Sequence, residues 1–409
     1  MNAFSTRHGG IVIFIAAMIF GACNSKQGDE GNSKTIAHAR ELADKYLIVD
    51  GHVDFPYRLA HLNITSTDSL KSVMTHSSDG EFDFDRARAG GMDAPFMSIY
   101  IPTSYQNRAD YGKSCADSLI NSVESMWKLL PDKFAPAGKP QEVARNTEEG
   151  KISLPMGMEN GAPIGMDIHN VQYFFDRGIR YITLAHTKFN QICGSSGDTV
   201  TNHQGLTLFG RGVVKEMNRV GIMVDISHVD DSTFYQVMSM TKVPCIASHS
   251  SCRYFVPDAR RDMTDDMIRK MGDNGGVILV NFFSGFIDST FRKKMDEFNL
   301  GLKKSGLTDT DTAARRMAAE LKHNYPVSIE VVADHIDHIV RLAGVDHVGF
   351  GSDFDGVSGF LPKGLDDASH YPDLIAVLLG RGYKDDDIRK ICGGNVLRVW
   401  GEVLKAAGK

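Results

Sequence analysis

The chain has 409 residues, of which 42% are hydrophobic and 23% are charged, a mixture typical of a folded protein and unlike that of a disordered or collagen-like chain. The formal net charge is −6 and no run of basic residues occurs, so the sequence offers no surface for binding a nucleic-acid backbone. These properties favour small molecules as partners, and the length suits either a single large barrel or two to three domains.

The N-terminus has the layout of a secretory signal. A basic start precedes an apolar run over residues 11–20, which ends in Gly21, Ala22 and Cys23 and passes at once into polar sequence. The run is about half as long as the stretch that a helix needs to cross a bilayer, so a permanent membrane span is disfavoured. Small residues before a cysteine resemble a bacterial lipobox, in which the cysteine is lipidated after cleavage. A cleaved signal with an incidental cysteine is the alternative.

We therefore predict a signal peptide over residues 1–22 and a solvated tether over residues 23–38 that begins at lipidated Cys23. The protein is expected to be exported and anchored to a bacterial membrane, on its periplasmic or cell-surface side. The remaining sequence contains no further membrane segment.

Five cysteines follow Cys23, at positions 115, 193, 245, 252 and 392, and none forms a Cys-x-x-Cys pair. An odd number cannot pair completely within one chain, so at least one thiol is predicted to be free and buried. A zinc site built from thiolates is disfavoured.

Short aliphatic runs alternate with amphipathic stretches, which is typical of parallel strands joined by crossover helices. Eight such runs occur, and eight strand–helix units make a (β/α)8 TIM barrel. The runs cover residues 46–54, 94–101, 152–159, 181–186, 221–228, 244–249, 276–282 and 347–353.

Between the runs, residues 206–220 and 327–343 have helical periodicity, and the second of these stretches ends at Gly344. We predict a single barrel domain over residues 39–409, with an insertion around residues 284–325. The least regular stretches are predicted to be loops or insertions: residues 60–80, 103–116, 194–204 and 284–325.

The strongest functional signal is positional, because six of the eight runs end in residues that can bind a metal or move a proton. Barrel enzymes place their chemistry at this end of the strands. His52 and Asp54 are two residues apart, so on a strand both side chains face the same way and can bind one ion. The candidates are His52, Asp54, Glu159, His186, His228, His249 and Asp353.

Imidazole and carboxylate ligands without thiolate favour zinc, with iron, manganese or cobalt as alternatives. More than four candidates exceed one tetrahedral site, whereas two ions that share a bridging carboxylate and a bridging water would use them all. Glu159, on a middle strand, is the candidate bridge.

Each candidate also has a structural interpretation. A single histidine at a strand end is more often a hydrogen-bonded core residue, and Glu159 and Asp353 could form ion pairs with arginines. The combination of these residues at corresponding strand ends favours the metal site. His335 and His338 lie on a predicted helix and are interpreted as part of its solvated face.

Ordered motifs from residue 39 to the C-terminus resemble the membrane (renal) dipeptidase family of metallopeptidases. They include Val-Asp-Gly-His-Val-Asp at 49–54, Gly-Met-Glu-Asn at 157–160, Leu-Ala-His-Thr at 184–187, Asp-Ile-Ser-His at 225–228, Ser-His-Ser-Ser at 248–251, Arg-Arg at 260–261 and Gly-Phe-Gly-Ser-Asp-Phe-Asp-Gly at 349–356. The resemblance implies a barrel of the metal-dependent hydrolase (amidohydrolase) type.

The resemblance also implies two zinc ions per chain and hydrolysis of dipeptides by a metal-bound hydroxide. His52 and Asp54 would bind one ion, His228 and His249 the other, and Glu159 would bridge them.

By the same resemblance three further residues bind the substrate. His186 would steady the tetrahedral intermediate, Arg261 would bind the free carboxylate, and Asp353 would be the acid/base residue. An arginine suits a carboxylate because its planar fork donates two parallel hydrogen bonds.

The sequence departs from the family in a few places. Asn160 occupies a position where the family commonly has glycine, and Val53 one where asparagine is common. The segment before the arginine pair is one residue longer than in mammalian members, which leaves Arg260 and Arg253 as alternatives to Arg261.

The leading hypothesis is thus an anchored dizinc dipeptidase that also accepts C-terminal D-residues. One alternative is another binuclear hydrolase of the same fold, acting on N-acyl amino acids, lactones or phosphoesters. A second is a lipoprotein that binds peptides or metal without turnover. The expected partners are dipeptide substrates, the membrane through the lipid, and a second copy of the chain in a homodimer.

Overall fold

The computed structural model describes residues 22–106, 109–198, 205–308 and 311–409. Its strands are β1 Ile48–Val53, β2 Met92–Tyr100, β3 Phe134–Pro136, β4 Ile152–Leu154, β5 Met156–Glu159, β6 Ile179–Thr183, β7 Met223–Asp225, β8 Ile246–Ala247, β9 Val277–Val280 and β10 Val348–Phe350. Eight of them form a closed parallel barrel in the order β1, β2, β5, β6, β7, β8, β9, β10. The predicted (β/α)8 barrel is confirmed.

The helices surround this barrel. They are α1 Ala22–Lys45, α2 Phe55–His61, α3 Thr67–Thr75, α4 Phe84–Ala89, α5 Ala109–Leu129, α6 Pro140–Glu148, α7 His169–Asp176, α8 Leu208–Val220, α9 Asp231–Met240, α10 Asp265–Asp273, α11 Ser284–Ile287, α12 Ser289–Ser305, α13 Thr312–Asn324, α14 Ile329–Ala343, α15 Tyr371–Gly380, α16 Asp385–Arg389 and α17 Asn395–Ala406. Short 3₁₀ turns lie at Thr103–Tyr105, Ala162–Ile164, Val345–His347 and Ala368–His370, and a π-helical turn at Lys390–Gly394.

Each predicted run overlaps one barrel strand, and only the third run is divided. Residues Ile152–Leu154 pair with β3 in a separate two-stranded sheet, whereas Met156–Glu159 enter the barrel between β2 and β6. The barrel closes where β1 pairs with β10, with Asp50 opposite Phe350. The ends of the chain's first and last barrel strands are therefore neighbours.

The predicted insertion at residues 284–325 is helical rather than loop-like. It forms α11, α12 and α13 between β9 and β10. The side chain of Asp288 accepts a hydrogen bond from the backbone N–H of Phe291 and so caps α12, which ends at Gly306 in the left-handed conformation. The stretches at residues 60–80 and 103–116 likewise contain helical turns, from α3 and α5.

The interpretation of His335 and His338 as a solvated face was wrong, because both side chains are buried between α14 and its neighbours. Nδ1 of His335 accepts a hydrogen bond from the backbone N–H of Cys252 at 3.0 Å, and its Nε2 donates to the carbonyl of Ile287 at 3.1 Å. Nε2 of His338 lies 2.7 Å from Oδ1 of Asp265. Each buried ring has specific polar partners, which offset the cost of removing its nitrogens from water.

The predicted signal peptide lies outside the described residues except for Ala22, where α1 begins. Ala39, Leu42 and Ala43 of α1 are buried, and this helix packs against α15. None of the helices in the described ranges combines the length and the apolar character that crossing a membrane requires. The prediction of a free, buried thiol is confirmed, because the five cysteines after Cys23 are unpaired and four of them are buried.

The barrel interior places Gly157 of β5 against the ring of Tyr181 on β6. A Cβ atom at position 157 would lie 1.9 Å from Cζ of Tyr181, far inside van der Waals contact. The hydroxyl of Tyr181 donates to the carbonyl of Gly51 at 3.0 Å and lies 2.8 Å from Nδ1 of His52. The absence of a side chain at position 157 therefore allows Tyr181 to reach His52.

We expect Gly157→Ala to destabilise the protein by about 1–3 kcal/mol, because the ring of Tyr181 must move. Gly380→Ala is the control, since a Cβ atom there has no heavy atom within 4 Å and alanine favours the helix. Thermal unfolding should show a lower Tm for the first variant and an equal or higher Tm for the second. Equal Tm values for both variants and the parent would contradict the need for glycine at position 157.

Candidate functional site

The seven residues predicted from the strand ends meet at one mouth of the barrel. All of them are buried or nearly so, and they approach one another from six different strands. His52 lies in β1 and Asp54 directly follows it, Glu159 ends β5, and His186, His228, His249 and Asp353 follow β6, β7, β8 and β10.

Glu159 lies at the centre of this group. Its Oε2 atom is 3.5 Å from Nε2 of His52. Its Oε1 atom lies 3.0 Å from Nε2 of His228 and 3.3 Å from Nε2 of His249. Nε2 of His186 is 3.6 Å from the same oxygen. One carboxylate thus connects two sets of candidate ligands.

The donor atoms fit metal ions better than they fit one another. Within the described part of the chain, Nε2 of His52 and Oδ1 of Asp54 are buried and have no hydrogen-bond partner. Nε2 of His228 and Nε2 of His249 lie 2.9 Å apart, so two imidazole nitrogens point at the same place. Buried polar atoms are normally paired, so their convergence indicates a site for cations. Three overlapping groups of side chains that could bind a metal ion occur here, one of which includes Asp353.

The electrostatics favour the metal-binding protonation states of Glu159, His228 and His249. Burial, with a contribution from the charge of Arg261, lowers the pKa of His228 and of His249 well below the ordinary value. Burial alone would raise the pKa of Glu159, but the surrounding imidazoles hold it well below its usual range. Neutral imidazoles and an ionised carboxylate are the forms that bind metal.

Asp353 adopts the left-handed backbone conformation, with a φ of 65°. Its Oδ2 atom accepts a hydrogen bond from Nδ2 of Asn281 at 2.8 Å. Burial and the charges of Asp54 and Glu159 raise the pKa of Asp353 to about 7, against the opposing effect of His52. This carboxyl group can therefore both accept and donate a proton near neutral pH.

A buried carboxylate beneath the site, Asp225, was not predicted as a functional residue. It accepts hydrogen bonds from the backbone N–H groups of Ser227 and Ser248 at 3.0 and 2.8 Å and from the hydroxyl of Ser248 at 2.6 Å. The same hydroxyl lies 2.8 Å from Nδ1 of His249. Because it donates to Asp225, it accepts from Nδ1–H, and the lone pair of His249 is then on Nε2. The sequence feature that could have identified Asp225 is its position, since it is a charged residue at the end of a buried strand.

Arg261 is further from the centre than the other candidates. Its Nη1 and Nη2 atoms donate to Oγ of Ser250 and to the carbonyl of His249, each at 2.6 Å. Nε is buried without a partner among the described residues. The guanidinium lies 5.6 Å from the ring centroid of Phe286, a residue that lines the main cavity. Of the alternatives, Arg260 is exposed, and Arg253 forms two hydrogen bonds with Asp231.

The site opens into a cavity of about 590 Å³. Its inner wall carries Glu159, His186, His228 and Asp353. Its outer wall includes residues of α12, which lies within the predicted insertion. Such a volume accommodates a small ligand.

Known proteins match the chain along most of its length. Residues 36–409 match the family described as membrane dipeptidase (Peptidase family M19). Dipeptidase aclJ of Aspergillus oryzae is 33% identical over 375 residues, which are 88% of this chain and 79% of that protein.

Two solved structures have the same fold. The probable dipeptidase PvdM from Pseudomonas aeruginosa has a TM-score of 0.79 and 25% identity, with 92% of this chain and 100% of that chain covered. A metallo peptidase called dipeptidase AC has a TM-score of 0.71 and 25% identity, with 88% and 98% covered.

We expect Ser248→Ala to weaken metal binding about 10- to 100-fold, because His249 loses the partner that fixes its tautomer. The matched control is Ser98→Ala, which removes a buried hydroxyl without a partner in the described structure. Competition with a chromophoric chelator measures both affinities. An unchanged affinity in the first variant, or an equal loss in the second, would contradict the role of Ser248.

Proposed function

We propose a mechanism for this chain from the premise that it belongs to the membrane dipeptidase family and is a metal-dependent dipeptidase. The proposal is that it hydrolyses the peptide bond of dipeptides, including those with a C-terminal D-residue, by using two zinc ions. The observation that carries it is the position of Glu159, whose two oxygens face separate sets of ligands.

The residues divide into two metal sites. His52 and Asp54 would hold one zinc ion, since Nε2 of His52 lies 3.5 Å from Oδ2 of Asp54. His228 and His249 would hold the other, and Glu159 would bridge the two. Zinc ions bound there would lower the pKa of a water molecule and polarise the peptide carbonyl.

Asp353 is the proposed acid/base residue. Asn281 occupies its Oδ2 atom, so Oδ1 is available for proton transfer. Oδ1 of Asp353 and Oδ2 of Asp54 would both contact a Cβ atom placed on Gly356, at 2.5 and 2.2 Å, which shows that the two oxygens are neighbours. Oδ1 can accept a proton from water held between the ligands and deliver it to the leaving amine.

His186 and Arg261 are proposed to orient the substrate. Nε2 of His186 lies 3.6 Å from Oε1 of Glu159. It can donate a hydrogen bond to the carbonyl oxygen of the scissile peptide bond as negative charge develops on that oxygen. The ring of Tyr100 lies edge-on to His186 with centroids 4.9 Å apart and restricts its rotation. Arg261, with its buried and unpartnered Nε atom, would bind the free carboxylate of the dipeptide.

We further propose that the enzyme is exported and anchored through a lipid on Cys23, on the basis of the N-terminal sequence. Helix α1 connects this end of the chain to α15 on the outside of the barrel. The anchor would therefore be attached to a face formed by helices.

We expect Asp353→Asn to lower kcat for dipeptides by about 10²- to 10⁴-fold while zinc content is retained, because the amide cannot transfer the proton. Chelation of the parent should abolish activity, and added zinc should restore it. Amino-acid release and metal analysis measure these effects. Full activity after metal removal would refute the metal mechanism. If the parent protein bound dipeptides but did not cleave them, the alternative of a peptide-binding protein would be favoured.

We expect Arg261→Met to lower kcat/KM for dipeptides roughly 30-fold or more, because the substrate carboxylate loses its partner. This corresponds to a loss of about 2–5 kcal/mol of transition-state stabilisation. Exposed Arg260→Met is the matched control and should leave kcat/KM unchanged. Dipeptide amides, which lack the carboxylate, should be cleaved equally by the parent and Arg261→Met. A loss of equal size for acids and amides would show a purely structural role, and no loss would favour another class of acyl substrate.

A further inference from the structure

One face of α12 forms the outer wall of the main cavity. Arg292, Met295, Asp296 and Asn299 line it, at the spacing of residues that share one side of a helix. These residues lie between β9 and β10, in the segment that the sequence predicts to be an insertion. The wall therefore belongs to the site while remaining apart from the metal ligands.

Arg292 is the one lysine or arginine among the described residues that line this cavity. Its Nε atom lies 3.2 Å from Oδ2 of Asp296, and its two Nη atoms have no partner in the described structure. The carboxylates deeper in the cavity are otherwise engaged, since Asp54 and Glu159 belong to the proposed metal site and Asp355 lies 3.2 Å from Nε of Arg58. A guanidinium with free donors thus faces the space for the substrate.

Arg261 lies outside the lining of this cavity, but it contacts a residue that lines it. The guanidiniums of Arg261 and Arg292 both act on Asp262, a buried carboxyl whose pKa burial raises to about 8 against the charges of Arg261, Arg253 and Arg292. Phe286, which packs against Arg261, lines the cavity together with Arg292. A dipeptide whose α-carboxylate is held by Arg261 would have its C-terminal residue on this side.

We propose that Arg292 binds a carboxylate on the side chain of the C-terminal residue, so that dipeptides ending in Asp or Glu are a preferred substrate class. This inference rests on the proposed function, because Arg261 must orient the dipeptide. The planar guanidinium of Arg292 can donate two hydrogen bonds to such a carboxylate. Asp296 competes for the same guanidinium and moderates the preference.

The test compares Ala-Glu with Ala-Gln, which differ only in the charge at the end of the side chain. For the zinc-loaded full chain, Arg292→Gln should lower the ratio of kcat/KM for Ala-Glu to that for Ala-Gln about 10-fold, and Asp296→Asn should raise it. Arg316→Gln is the matched control, since exposed Arg316 on α13 is likewise paired with a carboxylate four residues later, Glu320, at 3.2 Å. This control should leave the ratio unchanged.

A second pair, Glu-Ala and Gln-Ala, locates the acidic residue, and its ratio should not respond to Arg292→Gln. Calorimetric affinities for the four dipeptides, measured in the slow Asp353→Asn background with and without Arg292→Gln, report on Arg292 separately from turnover. An unchanged Ala-Glu preference in Arg292→Gln, or an effect confined to the Glu-Ala pair, would overturn the inference while leaving dipeptide hydrolysis in place. Failure of the parent to cleave any of the four would instead count against the proposed function, and the affinities would still decide on Arg292.

Discussion

The site depends on an ionised carboxylate that is buried among imidazoles. Glu159 could not remain charged there without compensation, because removing a carboxylate from water is costly. Cations bound between Glu159 and the imidazoles of His52, His228 and His249, which surround its two oxygens, would provide it. Because these histidines come from three different strands, the barrel must be complete before the charge is stabilised. The charge of this one side chain is thus stabilised only in the completely folded barrel.

The sequence was sufficient to predict the barrel and the residues at its mouth, because both follow from a simple regularity. Parallel strands in a barrel end on the same side, so a polar residue at the end of each apolar run predicts a cluster. The departure at Asn160 also has a physical explanation. This residue has a φ of 77°, a conformation that glycine adopts freely and that asparagine tolerates better than most residues. Its side chain donates to the carbonyl of Ile101 at 3.0 Å, which further stabilises the turn.

Other features could not be predicted because they depend on contacts between distant segments. The helices α12 and α13 are largely polar and half exposed, so their pattern did not distinguish them from loops. His335 was misinterpreted because its two partners, Cys252 and Ile287, are brought to it only by the fold. The hydrogen bonds that link Asp225 to Ser248 and then to His249 join neighbouring strands in the same way. A polar residue within a buried strand indicates that a partner exists but does not identify it.

The pairing of β1 with β10 has a consequence for the synthesis of the protein. His52 emerges early from the ribosome, whereas the strand that completes the ring precedes Asp353, about three hundred positions later. A growing chain therefore has no enclosed binding centre until nearly nine-tenths of it has been translated. Premature termination before β10 yields a product without Asp353 and without a closed ring, so translation itself delays the appearance of hydrolytic capacity until the polypeptide is almost finished.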